Sequence, residues 1–459
     1  MKNIIYKILS YGCIAGLLLS GCKKQDAFLD TKPNIALAVP STLQDLQLLL
    51  QDDNVFNALS FPALGELSTD DYYTTDALWA TSTSTERNSY VWAKQIYDAG
   101  QNVNDWSYSY TQVYYANTIL DDLPKINYTS NQQSLYNEIK GSALFFRAMA
   151  FYGLVDNFTL PYNSATAGTD LGIPLRLSSD INTKYPRASL QASYNQILQD
   201  LQTCLTLLPA KPSLITLPSK GAAYGLLSRV YLVLGNYNQS LKNADSCLSI
   251  NNTLQDFNNL TPGNLVPYPN YSPEDIFHGS LSGYYIIHRT AHVDSNLYKL
   301  FNDPNDLRPG VFFHYYSTGQ IGFLSQFDKN GNTYCGISTD EIYLNKAECE
   351  ARLGDLTNAM ADLNALLVTR WKTGTFVPYN AATADDALIQ ILIERRKELV
   401  MTGLRWGDLR RLNKDVRFAV TLTRVVNGIT YTLPPNDPRY AMPIPDPEIQ
   451  LSGIQQNQR

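Results

Sequence analysis

Residues 228–240 and 347–359 carry one pattern twice. Ser228 and Ala347 stand seven places before Gly235 and Gly354, Leu234 and Leu353 immediately before them, and Ser240 and Ala359 five places after. Small side chains let two antiparallel helices approach, and a glycine turns the corner between them, as in tetratricopeptide units. Such a pair cannot bury its apolar stripe alone, so pairs must stack. The pattern therefore predicts a mainly α chain built on a scaffold of stacked helix pairs. It names no function by itself.

The rest of the chain divides by periodicity. Trp106, Tyr110, Val113, Tyr114, Asn117 and Leu120 recur at helical steps from Asp105, with Pro124 just past the end. Further helices are read over Ser134–Val155, Ser189–Leu208, Lys220–Leu234, Asn238–Ile250, Asp340–Leu353, Leu356–Arg370 and Ala384–Met401. A shorter one follows Ser41 and Thr42, which can cap it, and carries Leu43, Leu46, Leu49 and Leu50. The scaffold thus covers about 105–250 and 340–415, the earlier pairs fitting the repeat less clearly. Two stretches lack the helical period. Residues 53–100 hold Thr/Ser clusters and aromatic side chains. Residues 251–335 hold Pro262, Pro267, Pro269, Pro273, Pro304 and Pro309, with strand-like runs such as Tyr284–Ile287. Both read as loop-rich, partly β insertions. Asn427-Gly428 suggests a short hairpin near the end. Residues 41–459 are read as a single domain.

The first residues are of another kind. Lys2 and Lys7 precede the apolar run Ile14–Leu19, and Leu19-Ser20-Gly21-Cys22 follows as a lipobox. Residues 1–21 then form a lipoprotein signal peptide. Cys22 becomes the acylated first residue, and residues 22–40, with Pro33 and Pro40, form a tether. The apolar run is shorter than the ~20 residues of a spanning helix. The net charge of −6 becomes −8 once Lys2 and Lys7 leave, which gives no attraction to nucleic acid. Tyrosine is abundant, 31 residues against 16 Phe and 5 Trp. Its ring and hydroxyl suit wet surfaces that meet polar ligands, although extracytoplasmic loops use it freely as well.

Little else points to chemistry. Cys204, Cys247, Cys335 and Cys349 show no CxxC spacing, and no histidine stands at ligand distance in sequence, so no metal site is read. Cys204 and Cys247 fall on apolar helical faces as buried thiols would, and a disulfide stays open. No nucleophile elbow, P-loop, HExxH or dinucleotide fingerprint occurs. Asp70 and Asp71 are adjacent on a loop with no apolar pocket to raise one of them. Asp303, Asn305 and Asp306 lack the twelve-residue logic of a calcium loop. Glu394, Arg395, Arg396 and Glu398 could suggest acid–base work. Their helical spacing fits ion pairs to neighbours such as Asp408 better, and Arg147 reads as a paired, buried guanidinium. The chain is expected to be no enzyme and to need no cofactor.

Several strings occur in one order. Phe28-Leu29-Asp30 and Pro33 follow Cys22. Trp106 comes with Tyr114, Ala116 and Asn117, and Gly141–Ala148 runs on to Tyr152. Gly172-Ile173-Pro174-Leu175, residues 222–237 and residues 343–354 come next. Ile393–Leu399 and Gly403–Arg411 then lead to Pro443-Ile444-Pro445, Glu448 and Gln456-Asn457. In these the chain resembles the SusD/RagB family of nutrient-binding outer-membrane lipoproteins, over nearly all of its mature length, with 394–411 the most distinctive string. It departs at Phe158–Pro161, where the family usually has a glycine, and at Met401-Thr402, where an acid usually precedes Gly403. The resemblance implies a lipid-anchored, surface-exposed protein of the outer membrane. It implies capture of an oligosaccharide, or less often a peptide, for a partner SusC-like TonB-dependent barrel. A tetratricopeptide-type scaffold for envelope assembly is the alternative. In the family the ligand is held by loops over the scaffold. Here those loops supply Tyr72, Tyr73, Trp79, Arg87 and Asn88 in the first stretch, and Tyr268, Tyr271, Tyr284, Tyr285 and Arg289 in the second. Trp79 and Tyr284 are the leading candidates. Trp92 and Trp106 are expected in the core.

Overall fold

The computed structural model describes residues 40–264, 267–269, 271–288, 291–324, 327 and 331–459. The leader, the lipobox with Cys22, the tether up to residue 39 and Arg289 lie outside the described residues.

The longer helices in chain order are α1 (Leu43–Leu50), α2 (Asn104–Asp122), α3 (Gln133–Phe158), α4 (Leu190–Leu205), α5 (Lys220–Val233) and α6 (Tyr237–Ile250), then α7 (Thr339–Arg352), α8 (Leu356–Leu367), α9 (Ala384–Glu398), α10 (Arg405–Leu412) and α11 (Asp446–Ser452). Side chains start many of them. Thr42 forms a capping box with Asp45, and Ser189, Ser219, Asn236, Asp355 and Thr383 cap α4, α5, α6, α8 and α9. From α2 to α9 each helix packs on the next.

The repeated pattern marks two of these pairs, α5–α6 and α7–α8. Gly235 and Gly354 adopt φ of +73° and +87°, the left-handed corner that favours glycine. The small residues lie between the helices: the Ser228 and Ser240 hydroxyls are 3.2 Å apart, and Ala347 and Ala359 are fully buried. Apolar packing forms two clusters. The larger runs through α1–α5, the loops and the C-terminal segment; the smaller joins α7, α8 and α9. Trp92 and Trp106 are core residues, as expected. Cys204, Cys247, Cys335 and Cys349 are free, buried thiols, which answers the open question of a disulfide. No described helix is long and apolar enough to cross a membrane.

The strands are short: β1 (Tyr72–Tyr73), β2 (Leu171–Pro174), β3 (Arg187–Ser189), β4 (Asp275–Phe277), β5 (His292–Val293), β6 (Phe313–Tyr315), β7 (Ile321–Phe323), β8 (Ile337–Ser338), β9 (Leu422–Val426) and β10 (Ile429–Leu433). β9 and β10 form the hairpin expected at Asn427-Gly428. β1, β5, β7 and β6 form a four-stranded antiparallel sheet that joins both loop-rich stretches. Two expectations fail locally. The Thr/Ser clusters of 53–100 are helix caps: Asp52, Thr75 and Thr83 begin the short helices Asp53–Phe56, Asp76–Thr81 and Ser84–Tyr90. The run Tyr284–Ile287 is no strand; Tyr285–His288 is one helical turn. Tertiary anchors override its β propensity, because the Tyr284 hydroxyl donates to Asp105 and the Ile286 amide to Glu86.

The string 394–411 ties these parts together by charge. Arg395 donates to Asp408, and Arg411 donates to Asp408 and Glu348. Arg410 reaches Asp156. Arg308 is fully buried among Asp306, Glu394 and Glu398, while Arg370 bridges Glu398 to Glu274. Arg147 pairs with Asp200 in the same manner. These carboxylates and guanidiniums hold the fold, as the spacing of Glu394–Glu398 predicted. Two of the pairs also serve the sheet. Arg405 grips Asp70 at 2.8 Å and Arg396 grips Asp71 at 2.9 Å, directly before β1. Burial opposes the charge on Asp70, but Arg405 and Arg396 hold its carboxyl well below the usual carboxylate range.

Candidate functional site

Strand register puts four positions of the small sheet in one row. Tyr73 pairs with His292, His292 with Gly322, and Gly322 with His314. Residues paired across antiparallel strands point to one face, so these four share a face. The alternate positions Tyr72, Val293 and Phe313 turn inward and are buried. The gap at Gly322 is filled from the turn after β6. The Tyr316 ring lies over the glycine, where an added Cβ would meet it at 2.8 Å. The Tyr316 amide donates to Gln320, and Gly319 closes the turn at φ +87°.

The outcome is a line of four rings. Tyr73 and His292 have centroids 5.3 Å apart, His292 and Tyr316 6.1 Å, Tyr316 and His314 4.7 Å. Tyr73 is 38% and Tyr316 41% exposed and His314 is half-buried, while His292 is buried between Tyr73 and Tyr316. Burial lowers the pKa of the His292 imidazole. The ring atom Nδ1 of His292 is shielded and meets no hydrogen-bond partner among the described residues. The row holds no carboxylate, lysine or arginine. Such a surface offers ring faces to apolar C–H groups, and phenol and imidazole atoms to hydroxyls.

The structure distributes the candidates read from sequence. Tyr73 is in the row, and Tyr285, 65% exposed, lies in the turn leading to β5. Tyr72 is closed off: it is 2% exposed and its hydroxyl donates to the Leu67 carbonyl at 2.7 Å. The Tyr284 hydroxyl is engaged by Asp105 at 2.5 Å. Trp79, Arg87 and Asn88 form a separate cluster directed at their own backbone. The Trp79 indole donates to the Arg87 carbonyl at 3.2 Å, Arg87 donates to Ala80 and Ser82, and Asn88 donates to Ile96. The Arg87 guanidinium stands 5.9 Å from the Trp79 ring centre. Tyr268 is buried against Phe327, and Tyr271 is exposed. His292, His314 and Tyr316 were not singled out from sequence. Strands of two or three residues show no period, and the row exists only through cross-strand register. No group of His, Cys, Asp and Glu among the described residues is placed to hold a metal. Asp303 accepts from the Trp371 indole and Asp306 pairs with Arg308 and Lys397, so both are engaged within the fold.

Residues 27–232 match the SusD-like family described as starch-binding associating with outer membrane, and residues 339–458 match the SusD family proper. The chain belongs to the SusD family. The SusD-like protein P2 of Formosa agariphila is 25% identical over 415 residues, covering 75% of this chain and 77% of that protein. Among solved structures, a SusD superfamily protein of Bacteroides thetaiotaomicron superposes with a TM-score of 0.74 at 23% identity, over 91% of this chain and all of the other. A SusD-like carbohydrate binding protein of Bacteroides vulgatus gives 0.68 at 19% identity, over 90% and 97%. At these identities the likeness is one of fold. In this SusD-family chain the first matched segment contributes β1 to the sheet, and the second supplies the arginines that pin Asp70 and Asp71.

Proposed function

We propose that this SusD-family protein is a lipid-anchored, surface-exposed glycan-binding protein. It captures a neutral oligosaccharide on the row Tyr73–His292–Tyr316–His314 and hands it to a SusC-like TonB-dependent transporter of the outer membrane. The observation that carries the reading is the row itself: four adjacent rings without a charged side chain, two of them open to solvent. Sugars present apolar C–H faces and hydroxyl edges, which match ring faces bordered by phenols and imidazoles. The lipobox at Cys22 supports the anchor, and the family match supports the transporter. In this reading the protein binds its ligand without turning it over, and the carboxylates of Glu394, Glu398, Asp70 and Asp71 are engaged by arginines that hold the fold.

A calorimetric screen of residues 23–459 against glycans tests this directly. Tyr73→Ala and Tyr316→Ala should each weaken the ligand found about tenfold, equal to ~1.4 kcal/mol, with little change in melting temperature because both rings are partly exposed. Unchanged affinity in the double variant would remove the row from the function. Affinity purification from the native envelope should recover a β-barrel transporter; recovery of envelope assembly factors instead would favour the scaffold reading.

A further inference from the structure

A groove of about 400 Å³ lies elsewhere on the molecule, between the outer face of α2, the segment after β2 and the C-terminal helix α11. It shares no residue with the aromatic row. Trp106, Tyr110 and Tyr114 occur every four residues along α2, so they line one helix face. The Trp106 and Tyr110 rings are 4.9 Å apart. Tyr114 is 45% exposed, and Ile181 and Leu451 stand out as aliphatic lips at 77% and 75% exposure. The volume is within the range of small-ligand sites.

The polar groups in the groove come as a balanced pair. Arg176 donates to Glu448 at 3.3 Å and places its guanidinium 5.2 Å from the Tyr110 ring centre. Among the guanidinium N–H groups this is the only one with an acceptor among the described residues, and Nε is shielded without a partner. Glu448 also accepts from the Trp106 indole at 3.4 Å. The Tyr110 hydroxyl is taken by the Pro174 carbonyl. A donor with spare N–H groups therefore sits beside a carboxylate acceptor, on a floor of aromatic rings, with the charges cancelling.

We propose that this groove is a second ligand site, which takes one or two pyranose units of a neutral saccharide. Vicinal hydroxyls need a donor and an acceptor side by side, and Arg176 with Glu448 supplies both. The apolar face of the sugar ring rests on Tyr114 and Tyr110. A proline-rich peptide fits less well, because it offers mainly carbonyl acceptors, and these would face the Glu448 carboxylate without a proton between them. An acidic sugar would meet the same carboxylate.

A printed array of neutral and acidic oligosaccharides, together with decaproline peptide, separates these cases. Five proteins are compared over residues 23–459: wild type, the row variant Tyr73→Ala/Tyr316→Ala, the row variant with Tyr114→Ala added, the row variant with Glu448→Gln added, and Tyr114→Ala alone. The row variant should retain at least one neutral glycan with a calorimetric stoichiometry of one. Tyr114→Ala, or Glu448→Gln in its place, should weaken that remaining binding at least tenfold at an unchanged melting temperature. The groove is overturned by loss of all neutral glycans in the row variant, by residual binding indifferent to both substitutions, or by a preference for decaproline or for acidic glycans. Loss of all wild-type binding through Tyr114→Ala alone would instead remove the row and keep the groove, so the two readings fail separately.

Discussion

Gly322 decides where the third ring of the row lies. Any side chain there meets the Tyr316 ring at 2.8 Å, and Tyr316 is the more exposed of the two solvent-facing rings. Gly322→Ala should therefore lower glycan affinity about as much as Tyr316→Ala, roughly tenfold or ~1.4 kcal/mol, which titration calorimetry of the pair would show. A second residue-scale consequence concerns Glu66, which is buried near Asp71. Burial, aided by the Asp71 charge, pushes its pKa up to about 8 from an ordinary 4.5. A carboxyl raised in the fold favours folding below its unfolded pKa, and that contribution is lost as pH rises through 8. Glu66→Gln should thus raise the melting temperature more at pH 9 than at pH 5, measured by calorimetric scans. At this scale the sequence identified Tyr73 because an aromatic residue on a loop is visible as such. It could not show that Tyr72, one place earlier, turns inward, or that Trp79 donates to a carbonyl eight residues away. Both depend on which face a two-residue strand presents and on where the next turn lies.

Among the elements, the helix pairs were the most legible. Apolar residues at steps of three and four, with serine, threonine and aspartate caps, mark α2 to α9 within a few residues. The pattern around Gly235 and Gly354 located both tight corners. At φ +87° Gly354 is in a conformation that a Cβ disfavours, and nothing lies within 4 Å of an added Cβ. Gly354→Ala should accordingly cost about 1 kcal/mol through backbone strain alone, read as a lower urea midpoint with an unchanged slope. The insertions were less legible. Tyr284–Ile287 has the composition of a strand and forms a helical turn, since Asp105 and Glu86, each about 180 to 200 residues distant in sequence, fix it. Side chains so far apart leave no local periodicity to read.

In the whole molecule, buried charge holds the helical stack and the irregular segments to each other. Arg308 is surrounded by three carboxylates from two regions of the chain, and it has no exposed surface. Arg308→Met should cost about 3–5 kcal/mol, because it leaves buried carboxylates without their partner. Chemical denaturation would register the loss, and a cost below 1 kcal/mol would mean that Lys397 takes over the pairing. The distances spanned also set a sequence of events. Asp70, Asp71, Asp156, Glu274 and Glu348 all receive guanidiniums, and four of the five receive one carried by residues 396–411. A polypeptide emerging amino end first therefore carries Asp70, Asp71, Asp156 and Glu274 without the guanidiniums that pair them until its last fifth has appeared, whereas Glu348 also meets Arg352 on its own helix. The native packing of the early segments has to wait for the late ones. These ion pairs can close only once the arginines have arrived.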